Sequence, residues 1–179
     1  MKTYIILLRG VTPTGKNKVL MAPLRAALEN AGLKDVKTYI QSGNIIATSG
    51  LSQSEVEKLV HEVINKHFGG DIVVLARTAS QFRNILAHNP FKKADTAKLY
   101  LTLLAVKPEG RLVKEFLAPG YSPDQVKVIG DVVYVLCATK YRDSKANNSF
   151  IERKLRVAAT TRIYNTISKL VELSKGMKK

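Results

Sequence analysis

The order of the apolar segments constrains the fold of this chain more than any other feature. Residues 2–9 form an almost wholly apolar run, rich in β-branched and aromatic side chains, that predicts a buried strand. After a stretch with helical spacing, residues 36–41 and 45–48 predict two strands joined by a tight turn. A longer amphipathic helix and a strand at residues 71–76 follow. The resulting β-α-β-β-α-β order is that of a ferredoxin-like split-βαβ unit, so we expect an α+β fold.

Two of the predicted helices start with a capping-box pattern. Ser52 is followed by Glu55, and Thr78 is followed by Gln81. In each pair the hydroxyl can accept from the backbone N–H three residues later, and the longer side chain can accept from the N–H of the hydroxyl residue. We therefore expect a helix to begin at each pair.

The same pattern restarts after a polar segment at residues 91–97. Two helices then follow its hairpin, instead of a helix and a strand. We therefore expect two subdomains, residues 1–90 and residues 91–179, of which the second is an incomplete ferredoxin-like unit finished by two C-terminal helices. The central strands lack apolar/polar alternation, so both faces of a sheet should be covered. The predicted strands of the second subdomain are residues 98–106, 126–129 and 132–137, and its predicted helices are residues 108–117, 146–155 and 162–174.

The loop at residues 10–17 resembles a phosphate-binding loop, because it follows a buried strand, contains two glycines and has Lys16 as its penultimate residue. Asn17, however, stands where a hydroxyl would hold magnesium, and Pro13 removes one donor N–H. A hairpin also follows the first helix, where a nucleotide hydrolase would have another strand–helix crossover. The loop therefore predicts affinity for an anion and argues against nucleotide hydrolysis.

The topology places this loop beside the turn of the first hairpin. Strands one and two of a split-βαβ unit are parallel, so the segments that follow them lie at the same end of the sheet. We call this region the rim. Its side chains indicate either a pocket for a small anionic ligand or ordinary turn chemistry, in which these side chains form hydrogen bonds to the local backbone. The candidate ligand-binding residues of the rim are Arg9, Lys16, Asn17, Gln41, Ser42 and Asn44.

The charge distribution suggests a second candidate site near the C-terminus. The formal net charge is +15, and residues 140–179 carry 11 basic and 3 acidic side chains. A basic surface attracts polyanions, although a lysine-rich surface can also serve only solubility. Lys145 and Arg156 are eleven residues apart, so one helix would present them on one side, and Arg162 is expected in the first turn of the last helix. The candidate polyanion-binding residues are Arg142, Lys145, Arg153, Arg156 and Arg162.

Several short motifs occur in order along the chain. They are LLRG at 7–10, GKNK at 15–18, TYIQSGN at 38–44, NPF at 89–91, ERKL at 152–155 and TTR at 160–162. Together they resemble a bacterial family catalogued as domain of unknown function 1697. The resemblance spans essentially the whole chain and implies two α+β subdomains similar to ferredoxin-like units, but it implies no activity. The chain departs from the family pattern at Thr12, where Asn is usual, and at Ile163-Tyr164, where Asn-Trp is usual.

The remaining side chains indicate little chemistry. The three histidines have no metal-ligand spacing, and no set of residues suggests a catalytic triad or an acid–base pair, so we expect no metal and no cofactor. Cys137 lies in an apolar run and should be a buried, inert thiol. No run reaches the length of a membrane span, which favours a cytoplasmic protein. The leading hypothesis is a non-catalytic RNA- or DNA-binding module, and the alternative is an enzyme or binder for a small phosphorylated or carboxylated ligand at the rim. The oligomeric state stays open.

Overall fold

The computed structural model describes residues 1–177, which form two compact units. Unit 1 comprises Met1–Asn84 together with the segment from Lys169 onward, and unit 2 comprises Ile85–Ser168. A domain division into residues 1–90 and 91–179 remains a prediction, because compactness does not test whether either part folds by itself. No helix within the described residues is long and apolar enough to cross a membrane.

Unit 1 is a complete βαββαβ unit whose strands form one four-stranded antiparallel sheet in the order β2-β3-β1-β4. The first strand therefore lies in the interior of the sheet, as predicted, where Ile6 pairs with Ile45 of β3 and with Ala76 of β4. The elements are β1 (Lys2–Leu8), α1 (Met21–Asn30), β2 (Lys34–Thr38), β3 (Asn44–Ser49), α2 (Gln53–Phe68) and β4 (Val74–Thr78).

Both faces of the central strands β1 and β3 are buried, which confirms the expectation drawn from the missing alternation. On one face Ile6 and Leu8 belong to a core that includes Leu24 of α1 and Val60 of α2. The alternate residues of β1, such as Ile5, are fully buried as well. β1 is therefore an interior strand in both senses, hydrogen-bonded at both edges and covered on both faces.

Both predicted capping boxes are present. The hydroxyl of Ser52 accepts from the N–H of Glu55, and the N–H of Ser52 donates to a carboxylate oxygen of Glu55 at 2.7 Å. The Ser52 hydroxyl also donates to this carboxylate oxygen at 2.6 Å, and this bond, together with that from the Ser52 N–H, holds the pKa of Glu55 below its usual value. The N–H of Thr78 likewise donates to Gln81 at 2.7 Å, and the hydroxyl of Thr78 accepts from the N–H of Gln81 at 3.2 Å. This second box starts α3 (Ala79–Ala87).

Unit 2 repeats the same topology in full, with the strand order β6-β7-β5-β8. The α+β class with two ferredoxin-like units is thus confirmed, but the second unit is not incomplete. A fourth strand, β8, follows the second helix of the unit and pairs with β5 at the edge of the sheet. The elements are β5 (Leu99–Leu104), α4 (Gly110–Leu117), β6 (Gln125–Ile129), β7 (Val132–Leu136), α5 (Asn148–Leu155), β8 (Ala159–Ile163) and α6 (Tyr164–Ser174).

The new strand changes the position of two predicted features. Arg162 was expected in the first turn of the last helix, which would make Thr160 or Thr161 its cap; both placements are wrong, because all three residues belong to β8. Thr161 pairs with Thr102 of β5, and the two hydroxyls lie 2.8 Å apart. β-branched threonines suit a strand as well as a cap, so the local sequence allowed both structures.

Cys137 is buried and forms no disulfide, as expected. Burial raises the pKa of its thiol to about 11. The thiolate that would act as a nucleophile is therefore scarce at neutral pH, which fits an inert structural cysteine.

Candidate functional site

The rim brings together the two segments that the topology predicted to be neighbours. The N–H of Leu8 donates to the carbonyl of Gly43 at 2.9 Å, and the side-chain amide of Gln41 donates to the carbonyl of Val19 at 2.8 Å. Gly43 has a φ of +78°, and a Cβ added there would lie 2.7 Å from Cβ of Leu8. The turn after β2 thus packs directly on the end of β1.

Most of the candidate ligand-binding residues of the rim form side-chain hydrogen bonds to nearby groups of the protein itself. Asn17 donates to the carbonyl of Gly10 at 3.2 Å. Asn44 is fully buried and donates to the carbonyl of Tyr39 at 3.0 Å and to the hydroxyl of Ser42 at 2.9 Å. These bonds are the turn chemistry that the sequence offered as the alternative.

The two basic candidates of the rim differ in exposure. Lys16 is exposed, whereas Arg9 is half-buried at the end of β1. The rim therefore presents one exposed cation, Lys16, beside side-chain amides that already form local hydrogen bonds. Its surface is positive but weakly organised. Binding of a ligand there stays a prediction.

The loop at residues 10–17 does not have the geometry of a phosphate-binding loop. The N–H of Thr12 donates to the carbonyl of Asn17, and the N–H of Val19 donates to the carbonyl of Thr12, so the loop closes on itself. α1 begins only at Met21, after Leu20, which provides no side-chain cap. A phosphate loop instead leads straight into a helix N-terminus whose free N–H groups face the ligand.

The basic C-terminal segment presents a more organised feature around Phe150 of α5. Three cationic groups lie near the ring of this one half-buried side chain. The Nζ of Lys145 lies 5.7 Å from the ring centroid, the Cζ of Arg153 lies 5.3 Å away, and the Nζ of Lys154 lies 5.6 Å away. We call these four residues the Phe150 cluster.

Local structure explains how the cluster forms. The side-chain carbonyl of Asn147 accepts from the N–H of Phe150 at 3.0 Å and so caps α5. Arg153 and Lys154 follow Phe150 at spacings of three and four residues, which place all three on one helix face. Lys145 precedes the cap and approaches the ring from the incoming chain.

The expected helical alignment of Lys145 with Arg156 is wrong, because α5 is shorter than predicted. The helix covers Asn148–Leu155, so Lys145 lies before it and Arg156 ends it in the left-handed region, with a φ of +55°. Arg142 lies in a short 3-10 turn, where its Nε is 3.8 Å from a carboxylate oxygen of Asp143. Both arginines are exposed and flank the Phe150 cluster along the chain.

Arg162 does not belong to this surface. Its guanidinium donates to the hydroxyl of Thr160 at 2.8 Å and to the carbonyl of Thr161 at 2.9 Å. Burial lowers the pKa of Arg162 to about 10, which still leaves it charged at neutral pH. The side chain is therefore tied to β8.

A cleft of about 270 Å³ opens beside the Phe150 cluster. The rings of Phe116 and Tyr121 lie 6.3 Å from that of Phe150, and the Tyr121 ring is edge-on to it. The hydroxyl of Tyr121 donates to the carbonyl of Phe116, and burial raises the pKa of Tyr121 to about 12, so it stays neutral. The cleft is lined by Glu115, Phe116, Pro119, Tyr121, Lys145, Phe150 and Lys154.

A polar network fixes α5 against β8. Glu152 accepts from the amide of Asn148 at 3.0 Å through one oxygen and from the N–H of Ala159 at 3.1 Å through the other. Asn148 in turn accepts from the hydroxyl of Thr161 at 2.9 Å. The only acidic residue of α5 is thus directed at the strand, while its two basic residues lie at the Phe150 ring.

Sequence reasoning missed Phe150 and Lys154 as site residues. Phe150 is apolar and was not among the basic candidates, although its side chain is only half-buried. The signal was present in the spacing, because two cations at three and four residues from an aromatic side chain share its helix face. Within residues 1–177, no group of three or more His, Cys, Asp or Glu could hold a metal ion.

Two split-βαβ units define the chain as an α+β protein of repeated ferredoxin-like architecture. It belongs to the family described as Protein of unknown function (DUF1697), whose model matches residues 1–134. The chain is also similar in structure to the conserved bacterial protein SP0830 from Streptococcus pneumoniae, with 24% identity and a TM-score of 0.74 over 98% of this chain and 99% of that one. This likeness shows the fold. No curated protein matches the chain.

Proposed function

We propose that this protein is a non-catalytic module that binds a polyanion, RNA or DNA, through the basic surface of α5 in unit 2. The observation that carries the proposal is the gathering of three cationic groups around the ring of Phe150, at 5.3 to 5.7 Å from its centroid. The proposed surface comprises Arg142, Lys145, Arg153, Lys154 and Arg156.

The energetics of the Phe150 cluster favour an anionic partner. Each cation–ring contact at an exposed site is worth only about 0.5–1 kcal/mol. The three like charges all lie within 5.7 Å of one ring centroid, so salt screens their mutual repulsion only in part, the Debye length being about 8 Å at physiological salt. A phosphate would relieve this repulsion, and binding several phosphates would release the condensed counterions of the nucleic acid.

Two nearby carboxylates, Glu152 and Glu115, have hydrogen-bond partners outside the proposed surface, whereas Asp143 lies 3.8 Å from the Nε of Arg142. Glu152 is directed at Asn148 and the N–H of Ala159. Glu115, at the cleft, accepts from the guanidinium of Arg111 at 2.9 Å. The positive potential at the surface of α5 is therefore only partly offset by nearby acids.

A second candidate function is the binding of a small phosphorylated or carboxylated ligand at the rim. The packing of the turn at Gly43 on the end of β1 favours it, because it holds Lys16 and the loop at residues 10–17 on the same end of the sheet as Ser42. The engaged amides of Asn17 and Asn44 make it the weaker proposal. Salt distinguishes the two, since polyanion binding falls steeply with log[salt] and a pocketed small anion is much less sensitive.

The test is charge reversal in the Phe150 cluster. The triple variant Lys145→Glu, Arg153→Glu, Lys154→Glu should bind a mixed-sequence RNA more weakly than the wild type. The slope of log K against log[salt] should flatten by roughly one unit for each phosphate that the variant no longer neutralises. Fluorescence anisotropy of a labelled RNA over a salt series measures both quantities.

A matched control separates the site from the total charge. The variant Lys34→Glu, Lys37→Glu, Lys66→Glu changes the net charge by the same amount at exposed positions of unit 1. It should retain most of the affinity if the site is local. Equal reductions of affinity in the two folded variants would show that only the net charge matters, and a wild type that binds neither RNA nor DNA at low salt would end the proposal.

A further inference from the structure

We propose that the cleft beside Phe150 accepts a single unpaired base, so that the module is selective for single-stranded nucleic acid. This inference rests on the proposed function and adds to it the class of ligand. It uses a feature that phosphate binding alone does not require, namely an aromatic cavity directly adjoining the cationic groups.

The walls of the cleft suit a flat aromatic ligand. Phe116, Tyr121 and Phe150 supply rings with centroids 5.3 to 6.3 Å apart. Phe116 is almost fully buried, whereas Tyr121 and Phe150 are half-buried. Every base has a π-face, so stacking on such rings tolerates any sequence.

The cleft combines cationic groups with its aromatic rings. Lys145 and Lys154 line the cleft itself together with one carboxylate, that of Glu115, and Arg153 lies against the ring of Phe150. A nucleotide with its base in the cleft would thus have cations within reach of its phosphates. The two lysines have long, flexible stems, so they can leave the ring for a phosphate when a base enters.

A duplex does not satisfy this geometry. Its bases are stacked and paired in the helix interior, and one of them would have to be flipped out to reach the cleft. An unpaired strand already offers splayed bases, which is why recognition by aromatic side chains is typical of single-stranded sites.

The absence of tryptophan from the chain gives a direct probe. The variant Phe150→Trp places one indole in the cleft, and its emission should be quenched by a stacked base. Phe68→Trp, at a half-buried phenylalanine of unit 1, is the matched control. The ligands are a mixed-sequence single-stranded DNA, its duplex, and an abasic strand of the same length that keeps every phosphate.

The single strand should quench Phe150→Trp, while the abasic strand should not, and Phe68→Trp should respond to neither. The wild type should bind the single strand at least about fivefold more tightly than the abasic strand. Phe150→Leu, which keeps an apolar side chain, should weaken binding of the single strand by a larger factor than binding of the abasic strand, so that the ratio of the two affinities falls toward one. This second variant keeps the test valid if the indole disturbs packing.

Two results would overturn the inference while leaving the proposed function intact. One is equal affinity of the wild type for the abasic and the normal strand, and the other is equal affinity for the duplex without quenching. If neither these three ligands nor the mixed-sequence RNA binds at low salt, both the inference and the proposed function are wrong.

Discussion

At the scale of single residues, Gly43 joins the conformation of the rim to the packing of β1. Its φ of +78° lies in the left-handed region that favours glycine, and its missing side chain leaves room for Leu8. The same residue also accepts from the N–H of Leu8 through its carbonyl at 2.9 Å. Backbone conformation, close approach and hydrogen bonding thus all depend on one position.

Replacement of Gly43 by alanine should therefore cost more than the φ penalty alone. The left-handed conformation costs a non-glycine residue about 1–2 kcal/mol, and the overlap with Leu8 adds about 1–3 kcal/mol. Gly15→Ala is the matched control, because Gly15 has a φ of +79° but no atom within 4 Å of the added Cβ. Urea denaturation of both variants measures the difference, and equal costs would show that the packing against Leu8 relaxes freely.

At the scale of secondary structure elements, sequence patterns identified the elements with strong local signals. The two capping boxes and the interior position of β1 follow from side-chain spacing and strand order, and both are confirmed. β8 was missed because Ala159–Ile163 contains no apolar run. Its polar side chains are satisfied by partners distant in the chain, such as Thr102, which local sequence does not reveal.

The two candidate sites were likewise predictable from the sequence only in part. The proximity of the rim segments followed from topology. The hydrogen bonds from the side chains of Asn17 and Asn44 to backbone carbonyls did not, because they depend on loop conformations that the sequence pattern does not determine. The basic segment was visible as charge alone. The spacing of Phe150, Arg153 and Lys154 was visible within the predicted helix, whereas the approach of Lys145 to the ring depends on the path of the chain before the cap at Asn147.

The Glu152 network predicts how firmly β8 is held. Glu152→Ala removes the acceptor of the Ala159 N–H, and Ala159 is fully buried, so the free energy of unfolding should fall by about 1–3 kcal/mol. Hydrogen exchange at Ala159 should accelerate more than at β7. Glu172→Ala is the control, because this exposed carboxylate pairs with Lys169 at 3.3 Å on the surface of α6 and should change stability by no more than about 0.5 kcal/mol. Similar destabilisation by both variants would rule out a special role for Glu152.

At the scale of the whole molecule, the two units share one topology but are not two successive segments of the chain. The chain returns to unit 1 at Lys169, so α6 begins in unit 2 and ends in unit 1. Ser174 and Met177, both buried, line a cavity of about 650 Å³ together with Thr3 and Thr78 of unit 1. The end of the described chain is therefore part of the first unit's structure.

Two substitutions within α6 test this division. Ile167 lies in unit 2 and Leu170 in unit 1, and both side chains are fully buried although they are less than one helical turn apart. Each change to alanine should cost about 2–5 kcal/mol through reduced burial and the cavity left behind. Because proteins open in cooperative parts, Leu170→Ala should lower amide protection in β1 and β3, whereas Ile167→Ala should lower it in β5 and β7. Native-state hydrogen exchange measures the pattern, and an equal decrease across both sheets in both variants would mean that the chain opens as one cooperative unit.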